Sequence, residues 1–240
     1  MRRVDLSGRR ALITGASRGI GRAIAESLAN AGADVALLAR GSTEAVVRSC
    51  SKHGRNAFSL TADMTRVDQL EAAVARAAES LGGLDVLVNA AGSSWVGPVH
   101  RVSDQTWRSM VDVNLTGAME SVRLALPHLR SSSHGHILFI GSVASRAVYA
   151  GGAGYCATKH GLLGFAGSLY EELRALRIKV TTICPGVVDT EMTKGEWAGF
   201  DRSAMLRPTD VADAAMYVMS CGPRACPTEI ILRCHHPIMV

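Results

Sequence analysis

Short, unbroken apolar runs alternate along this chain with segments whose apolar residues recur every three or four positions. The runs Ala11–Thr14, Val35–Ala39, Ala57–Leu60, Val86–Asn89, His136–Gly141, Val180–Cys184 and Glu229–Leu232 read as strands. Their apolar character is continuous rather than alternating, which suits strands covered on both faces of a parallel sheet. Between them, Gly19–Ala31, Thr43–His53, Val67–Leu81, Asp104–Leu129, Tyr155–Leu176 and Thr209–Met219 read as helices. Ser103-Asp104 and Pro208-Thr209-Asp210 are helix-start signals, and Pro127 marks the last turn of its helix. Strand–helix alternation predicts an α/β fold: one doubly wound domain over residues 1–240, with a mostly parallel seven-stranded sheet and helices on both faces. No linker, repeat or low-complexity tract divides it. In such sheets ligands sit beyond the carboxyl ends of the strands, so the motifs at strand ends carry the most weight.

Composition changes this picture little. Hydrophobic residues make up 48% and charged residues 20% of 240 positions, as in ordinary globular proteins. The net charge of +5 comes from 26 basic residues that are scattered, without a basic run or interleaved aromatics. That reads as a solvated arginine-rich surface, with no nucleic-acid or membrane partner expected. Met1-Arg2-Arg3 is not followed by an apolar h-region, and no stretch of about 18 apolar residues exists. A cytoplasmic protein is expected. The six cysteines include no Cys-x-x-Cys pair, and Cys226 and Cys234 with His235-His236 match no zinc spacing, so reduced thiols and no metal are expected.

Chemistry enters at the first strand end. Thr14-Gly-Ala-Ser-Arg-Gly-Ile-Gly21 joins a strand to a helix. Glycines let backbone approach a ligand closely, and the helix N-terminus offers free N–H groups to a phosphate. Gly15, Ser17, Arg18, Gly19, Ile20 and Gly21 are therefore candidate cofactor contacts. A dinucleotide site usually places an acid after the second strand to bond the adenosine ribose. Here Ala39-Arg40 stands instead, and Arg18 lies in the loop. Two guanidinium groups suit a 2′-phosphate, so the expected cofactor is NADP(H). Asp63-Met64 after the third strand offers a carboxylate for the adenine amino group. Asn89-Ala-Ala-Gly92 ends the fourth strand; Asn89, Ala90 and Gly92 leave room for the cofactor, with Asn89 equally readable as a brace of the sheet.

Tyr155 and Lys159 stand four residues apart, on one face of a predicted helix. A phenol titrates near ~10, and a neighbouring cation favours its phenolate, bringing an acid/base closer to neutral pH. Thirteen residues upstream, Ser142 follows the fifth strand, and Asn114 lies in Asp112-Val-Asn-Leu-Thr116. The glycine loop, Asn-Ala-Ala-Gly, Asn114, Ser142, Tyr-x-x-x-Lys and Pro185-Gly186 occur in the order of the short-chain dehydrogenase/reductase family, which the chain resembles over nearly its whole length. The resemblance implies a Rossmann-type fold and four catalytic positions. Tyr155 is implied as proton donor and Ser142 as the hydroxyl holding the substrate oxygen. Lys159 is implied as the cation that lowers the phenol pKa and grips the nicotinamide ribose, and Asn114 as the holder of a relay water. Pro185, Gly186, Val188 and Thr190 are implied around the nicotinamide. A homodimer or homotetramer through the two long helices is also implied.

Adjacency to these segments nominates Ser94, Trp95, Val143, Ala144, Tyr149, Met192 and Trp197 as substrate neighbours alongside Ser142; Met192 and Trp197 read equally well as core. The tail Thr228-Glu-Ile-Ile-Leu-Arg233 lacks the glycine-rich ending usual in reductases of carrier-protein-linked ketones. It resembles the NADP-dependent branch acting on hydroxy acids and varied ketones. Cys234-His-His-Pro-Ile-Met-Val240 departs from both patterns. Three functions stand: a carbonyl reductase or hydroxy-acid dehydrogenase acting on a small ketone or alcohol, a 3-oxoacyl-thioester reductase, and a non-catalytic NADP-binding sensor. The intact catalytic set argues against the sensor.

Overall fold

Seven strands lie side by side in a computed structural model that describes residues 4–196 and 201–236. They are β1 (Arg10–Thr14), β2 (Asp34–Ala39), β3 (Ala57–Thr61), β4 (Val86–Asn89), β5 (His136–Ile140), β6 (Lys179–Pro185) and β7 (Glu229–Leu232). Each matches a predicted strand to within one residue at either end. All neighbouring pairs are parallel, in the order β3-β2-β1-β4-β5-β6-β7.

Alternate side chains of each strand feed two separate apolar layers. Leu12, Leu38, Leu87, Ile137 and Phe139 point to one face, covered by α3 (Val67–Leu81), α5 (Gly117–Arg130) and α6 (Ala153–Leu173). Ile13, Leu37, Val88 and Leu138 point to the other, covered by α1 (Gly19–Asn30), α2 (Glu44–Ser51) and α8 (Pro208–Ser220). This explains the nearly unbroken apolar runs: both faces are buried, so apolar side chains dominate and the few polar ones, such as Thr14, Asn89 and His136, are buried with them. Fully burying one such Leu or Ile stabilises by about 1.5–3 kcal/mol.

The chain goes outward from β1 to β2 and β3, then returns to place β4 on the other side of β1. That reversal opens a crevice where Thr14 of β1 lies level with Asn89 of β4. The predicted helix Asp104–Leu129 is not continuous. It comprises α4 (Asp104–Val111), a π-helical turn over Asp112–Thr116 and α5. The change of phase is confined to one five-residue turn, too short for the sequence periodicity to reveal it. Pro127 does lie in the last turn of α5. The short α7 (Thr193–Glu196) after β6 was not anticipated either. Here the chain leaves the sheet and returns, with Asp189 N–H donating to Leu206 O at 2.8 Å.

His136 opens β5 with 5% exposure, its Nε2 3.0 Å from Thr181 Oγ1 on β6. Burial, helped by Lys179, pushes its pKa from 6.5 down to about 3. The unfolded chain therefore binds this proton more readily between those values, and stability rises with pH across that window. His136→Gln should flatten the loss: urea unfolding from pH 6.5 to 5 should cost wild type about 2 kcal/mol more than the variant. Parallel losses in both proteins would contradict this.

Candidate active site

The turn between β1 and α1 can form only because three of its residues lack a Cβ. Gly15 has φ +67, and a Cβ there would stand 2.7 Å from the Ala91 Cα and N. A Cβ on Gly21 would stand 2.4 Å from Gly15 O. Gly19 (φ +57) faces the Thr190 methyl, where a Cβ would meet it at 3.3 Å. Buried Thr14 secures the turn, its Oγ1 accepting from the Ala90 and Ala91 N–H groups at 3.2 Å each. The first turn of α1 thus faces the crevice with no acidic residue in it. Its free N–H groups and dipole make a seat for an anion.

This seat is part of a cavity of about 380 Å³. The cofactor candidates Gly15, Ser17, Arg18, Gly19, Ile20, Gly21, Arg40, Asp63, Met64, Ala90, Gly92 and Thr190 line it, as does the substrate candidate Met192. Arg18 and Arg40 are exposed, and Arg40 Nη1 lies 4.0 Å from Asp63 Oδ2. The Thr65 N–H donates to Asp63 at 2.9 Å and, against partial burial and with Arg40 nearby, holds that carboxyl below its usual range. Gly41, Ser93, Ser109, Val113 and Glu191 also line the cavity. All but Ser109 adjoin a residue that the sequence nominated, Ser93 lying next to the Asn-Ala-Ala-Gly motif. The Ser93 Oγ is buried without a partner, which leaves a donor and acceptor on the wall for a ligand. The glycine cradle, the free helix end and this hydroxyl fit a dinucleotide.

Several candidates lie elsewhere. Asn89 does not line the cavity; its Oδ1 accepts from Ser121 Oγ at 2.6 Å, so it braces β4 against α5. Val188 is 5% exposed and packs in the α1/α8 layer, and Pro185 ends β6 opposite Leu232. Gly186 N–H donates to Leu232 O at 2.7 Å. These three occupy the strand end behind Thr190. Trp197 lies outside the described residues.

Ser142 caps a 3-10 turn over Val143–Ser145 just beyond β5. Its Oγ accepts from Ala144 N–H at 3.1 Å, its own N–H donates to Ser145 Oγ at 3.2 Å, and its O–H is left to donate. Arg146 after the turn clasps Glu229 of β7, with Nε 2.6 and 2.9 Å from the two carboxylate oxygens. Arg146, against the opposing effect of partial burial, holds the Glu229 carboxyl below its usual range. This anchoring pair, 83 residues apart in sequence, had no sequence signal.

Tyr155 and Lys159 occupy successive turns near the start of α6, as expected. Lys159 Nζ donates to Ile140 O at 2.9 Å and lies 5.7 Å from the Tyr155 ring centroid. It is 5% exposed, and burial pushes its pKa down to about 8, opposed by nearby Cys184. Asn114 is buried in the π-helical turn. Its Oδ1 accepts from Ser93 N–H at 2.8 Å, and its amide donates to Ser93 O at 2.8 Å and Thr158 Oγ1 at 3.1 Å. Both amide N–H groups are committed, so the side chain ties the β4 loop to α6. Val143 is half-buried and Ala144 buried beside Ser142. Tyr149 lies over Gly152, where a Cβ would meet its ring at 2.5 Å. Ser94 and Trp95 are half-buried in the β4 loop. Met192 is 42% exposed at the cavity rim, so its core reading does not hold. Among the described residues, no three His, Cys, Asp or Glu side chains gather as a metal site, and no helix is long and apolar enough to cross a membrane.

The family model described as short chain dehydrogenase matches residues 9–199. An uncharacterized oxidoreductase of Staphylococcus haemolyticus is 33% identical over 229 residues, 95% of this chain and 98% of that protein. The 3-oxoacyl-[acyl-carrier-protein] reductase of Vibrio harveyi is 35% identical over 192 residues, 80% of this chain and 78% of that one. The crystal structure of a short chain dehydrogenase from Burkholderia cenocepacia in complex with NADP superimposes with a TM-score of 0.87 at 33% identity, covering 95% of this chain and 97% of that one.

Burying the Lys159 ammonium lowers stability in the range where it is charged. Its folded pKa of about 8 is below the ordinary 10.5, so the unfolded chain binds the proton more tightly between them. Stability should rise with pH across that window, by up to about 3 kcal/mol. Lys159→Met, which also gives up the bond to Ile140 O, should exceed wild type at pH 7 by about 2 kcal/mol, and the gap should close towards pH 10. Urea unfolding at the two pH values checks this; a variant less stable than wild type at pH 7 would refute it.

Proposed function

The chain belongs to the short-chain dehydrogenase family, and from its site we propose an NADP(H)-dependent oxidoreductase that moves hydride between the nicotinamide and a ketone or secondary alcohol. The reading is of carbonyl-reductase or hydroxy-acid-dehydrogenase type. The observation that carries it is the buried Lys159 ammonium held beside the Tyr155 ring. A sheet brace or a binding-only protein has no use for a desolvated cation next to a phenol.

The roles of the chain's residues follow from their placement. The Gly15–Gly21 turn and the α1 N-terminus would hold the pyrophosphate of NADP(H). Arg18 and Arg40 on the cavity wall would take the 2′-phosphate, with no carboxylate at the end of β2 to oppose it. The Burkholderia relative, crystallised with NADP, supports this preference. Bound there, the cofactor supplies the hydride. Reduction builds negative charge on the substrate oxygen, and a hydroxyl aimed at it stabilises that charge by about 3 kcal/mol. Ser142 would give that hydrogen bond and Tyr155 the proton. Lys159, charged below about 8, would stabilise the phenolate left behind. Asn114 would act as a positioning residue for Ser93 and, through Thr158, for α6. We read the protein as cytoplasmic and homo-oligomeric. The family resemblance supports the second point, as do Trp107 and Met119, which are 40% and 41% exposed on α4 and α5. A 3-oxoacyl-thioester reductase is the second reading, favoured by the Vibrio harveyi relative; acetoacetyl thioesters turned over well and simple ketones poorly would select it.

Tyr155→Phe should keep NADPH binding, followed by nucleotide fluorescence, and lose about 10³-fold in ketone turnover. Undiminished turnover would end the proton-donor assignment. Arg40→Asp should lower the NADPH-over-NADH ratio of kcat/KM by about tenfold or more; an unchanged ratio would remove Arg40 from cofactor choice.

A further inference from the structure

Beside the catalytic helix lies a second cavity of about 160 Å³, separate from the cofactor crevice. Its walls are Trp95, Val99, Val102, Trp107 and Met110, and its floor is the Ala153–Gly154 start of α6, directly before Tyr155. Two glycines shape it. A Cβ on Gly154 would strike Met110 Cε at 2.5 Å and the Trp107 ring at 3.0 Å, so both side chains lie against bare helix backbone. A Cβ on Gly97 would strike the Trp95 ring at 2.8 Å, so the indole lies flat on its own loop.

The slot is built into the catalytic segments. Its Trp95 wall belongs to the loop that Asn114 fixes at Ser93. Gly97 N–H donates to Gly151 O at 2.9 Å, joining that loop to the segment between Ser142 and Tyr155. Beside this joint, Val99 and Val148 stand 71% and 78% exposed and Tyr149 36% exposed, an apolar approach from solvent. The lining offers almost no polar partner, and a buried water needs two to four. A dry apolar space of this size loses contacts while empty and gains them from an apolar guest. Cavities near 150 Å³ lined by apolar side chains take a single benzene ring.

We propose that this slot receives the apolar arm of the carbonyl substrate, and that the preferred substrates are ketones or secondary alcohols bearing one phenyl-sized group. This rests on the carbonyl-reductase reading and adds the substrate class to it. The carbonyl would sit at Ser142 and Tyr155, and the ring between the two tryptophans. Hydrophobic fit of this kind discriminates by contact area, so it ranks substrates by the size of that arm.

The test pairs a phenyl methyl ketone with butanone, using NADPH, in wild type and in Val102→Phe, which fills the slot. The phenyl ketone should have the higher kcat/KM in wild type. The variant should lose about tenfold on it and stay within about twofold on butanone, with KM for NADPH unchanged. Trp95→Ala, which widens the slot, should shift preference towards a naphthyl ketone and covers the case of a Val102→Phe protein that does not fold. Binding of toluene alone, read by tryptophan fluorescence, should occur in wild type and weaken at least tenfold in Val102→Phe. Equal phenyl-to-butanone ratios in all three proteins would overturn the slot while leaving the carbonyl reductase intact. Toluene binding without turnover of any ketone would overturn the carbonyl reading and leave an apolar ring site.

Discussion

A charged amine with almost no access to water is the constraint on which this site depends. Lys159 has one carbonyl, Ile140 O, within hydrogen-bond reach, and the face of Tyr155 beside it. Desolvation of an ammonium is expensive, so the fold must supply a donor-accepting carbonyl and an aromatic face at fixed places. That requirement explains the local architecture. β5 has to end where α6 begins its second turn, and α6 has to be held against the π-helical turn through Asn114 and Thr158. Ser142 then falls at the same strand end, braced by Ser145 beneath and by Arg146 on Glu229 beyond. A site assembled this way is rigid because relaxing any one support exposes or strands the cation.

The cofactor side obeys a different rule, that of close approach. Gly15 and Gly21 let three backbone segments meet where side chains would collide, and the cavity is the space left at the sheet's reversal. The anion seat needs no charged side chain, because the free N–H groups of α1 provide it. One half of the site therefore works through backbone and the other through a buried cation.

What the sequence revealed follows from this division. Strands were legible because burial on both faces leaves unbroken apolar runs. The glycine turn was legible because backbone contact admits no other residue at Gly15. Tyr155 and Lys159 were legible because helical spacing places them on one face. Local periodicity was blind to the rest. The π-helical turn at Asp112–Thr116 is a one-residue change of phase, and the tasks of Asn114 and Asn89 depend on partners 21 and 32 residues away. Glu229 meets Arg146 only because β7 joins the far edge of the sheet. Val188 was nominated by the family resemblance alone, and no local pattern showed that its side chain packs in the α1/α8 layer.

The Arg40 side chain stands 72% exposed at the crevice rim, 4.0 Å from Asp63. Gly15, 25 positions earlier, is locked in on every side. The two lie on the same cavity but under opposite steric constraints. A change at the glycine disturbs folding before it can alter chemistry, whereas a change at the arginine is nearly silent to folding. A substitution at the rim can therefore alter what the crevice presents at its edge while the folded scaffold behind it stays in place.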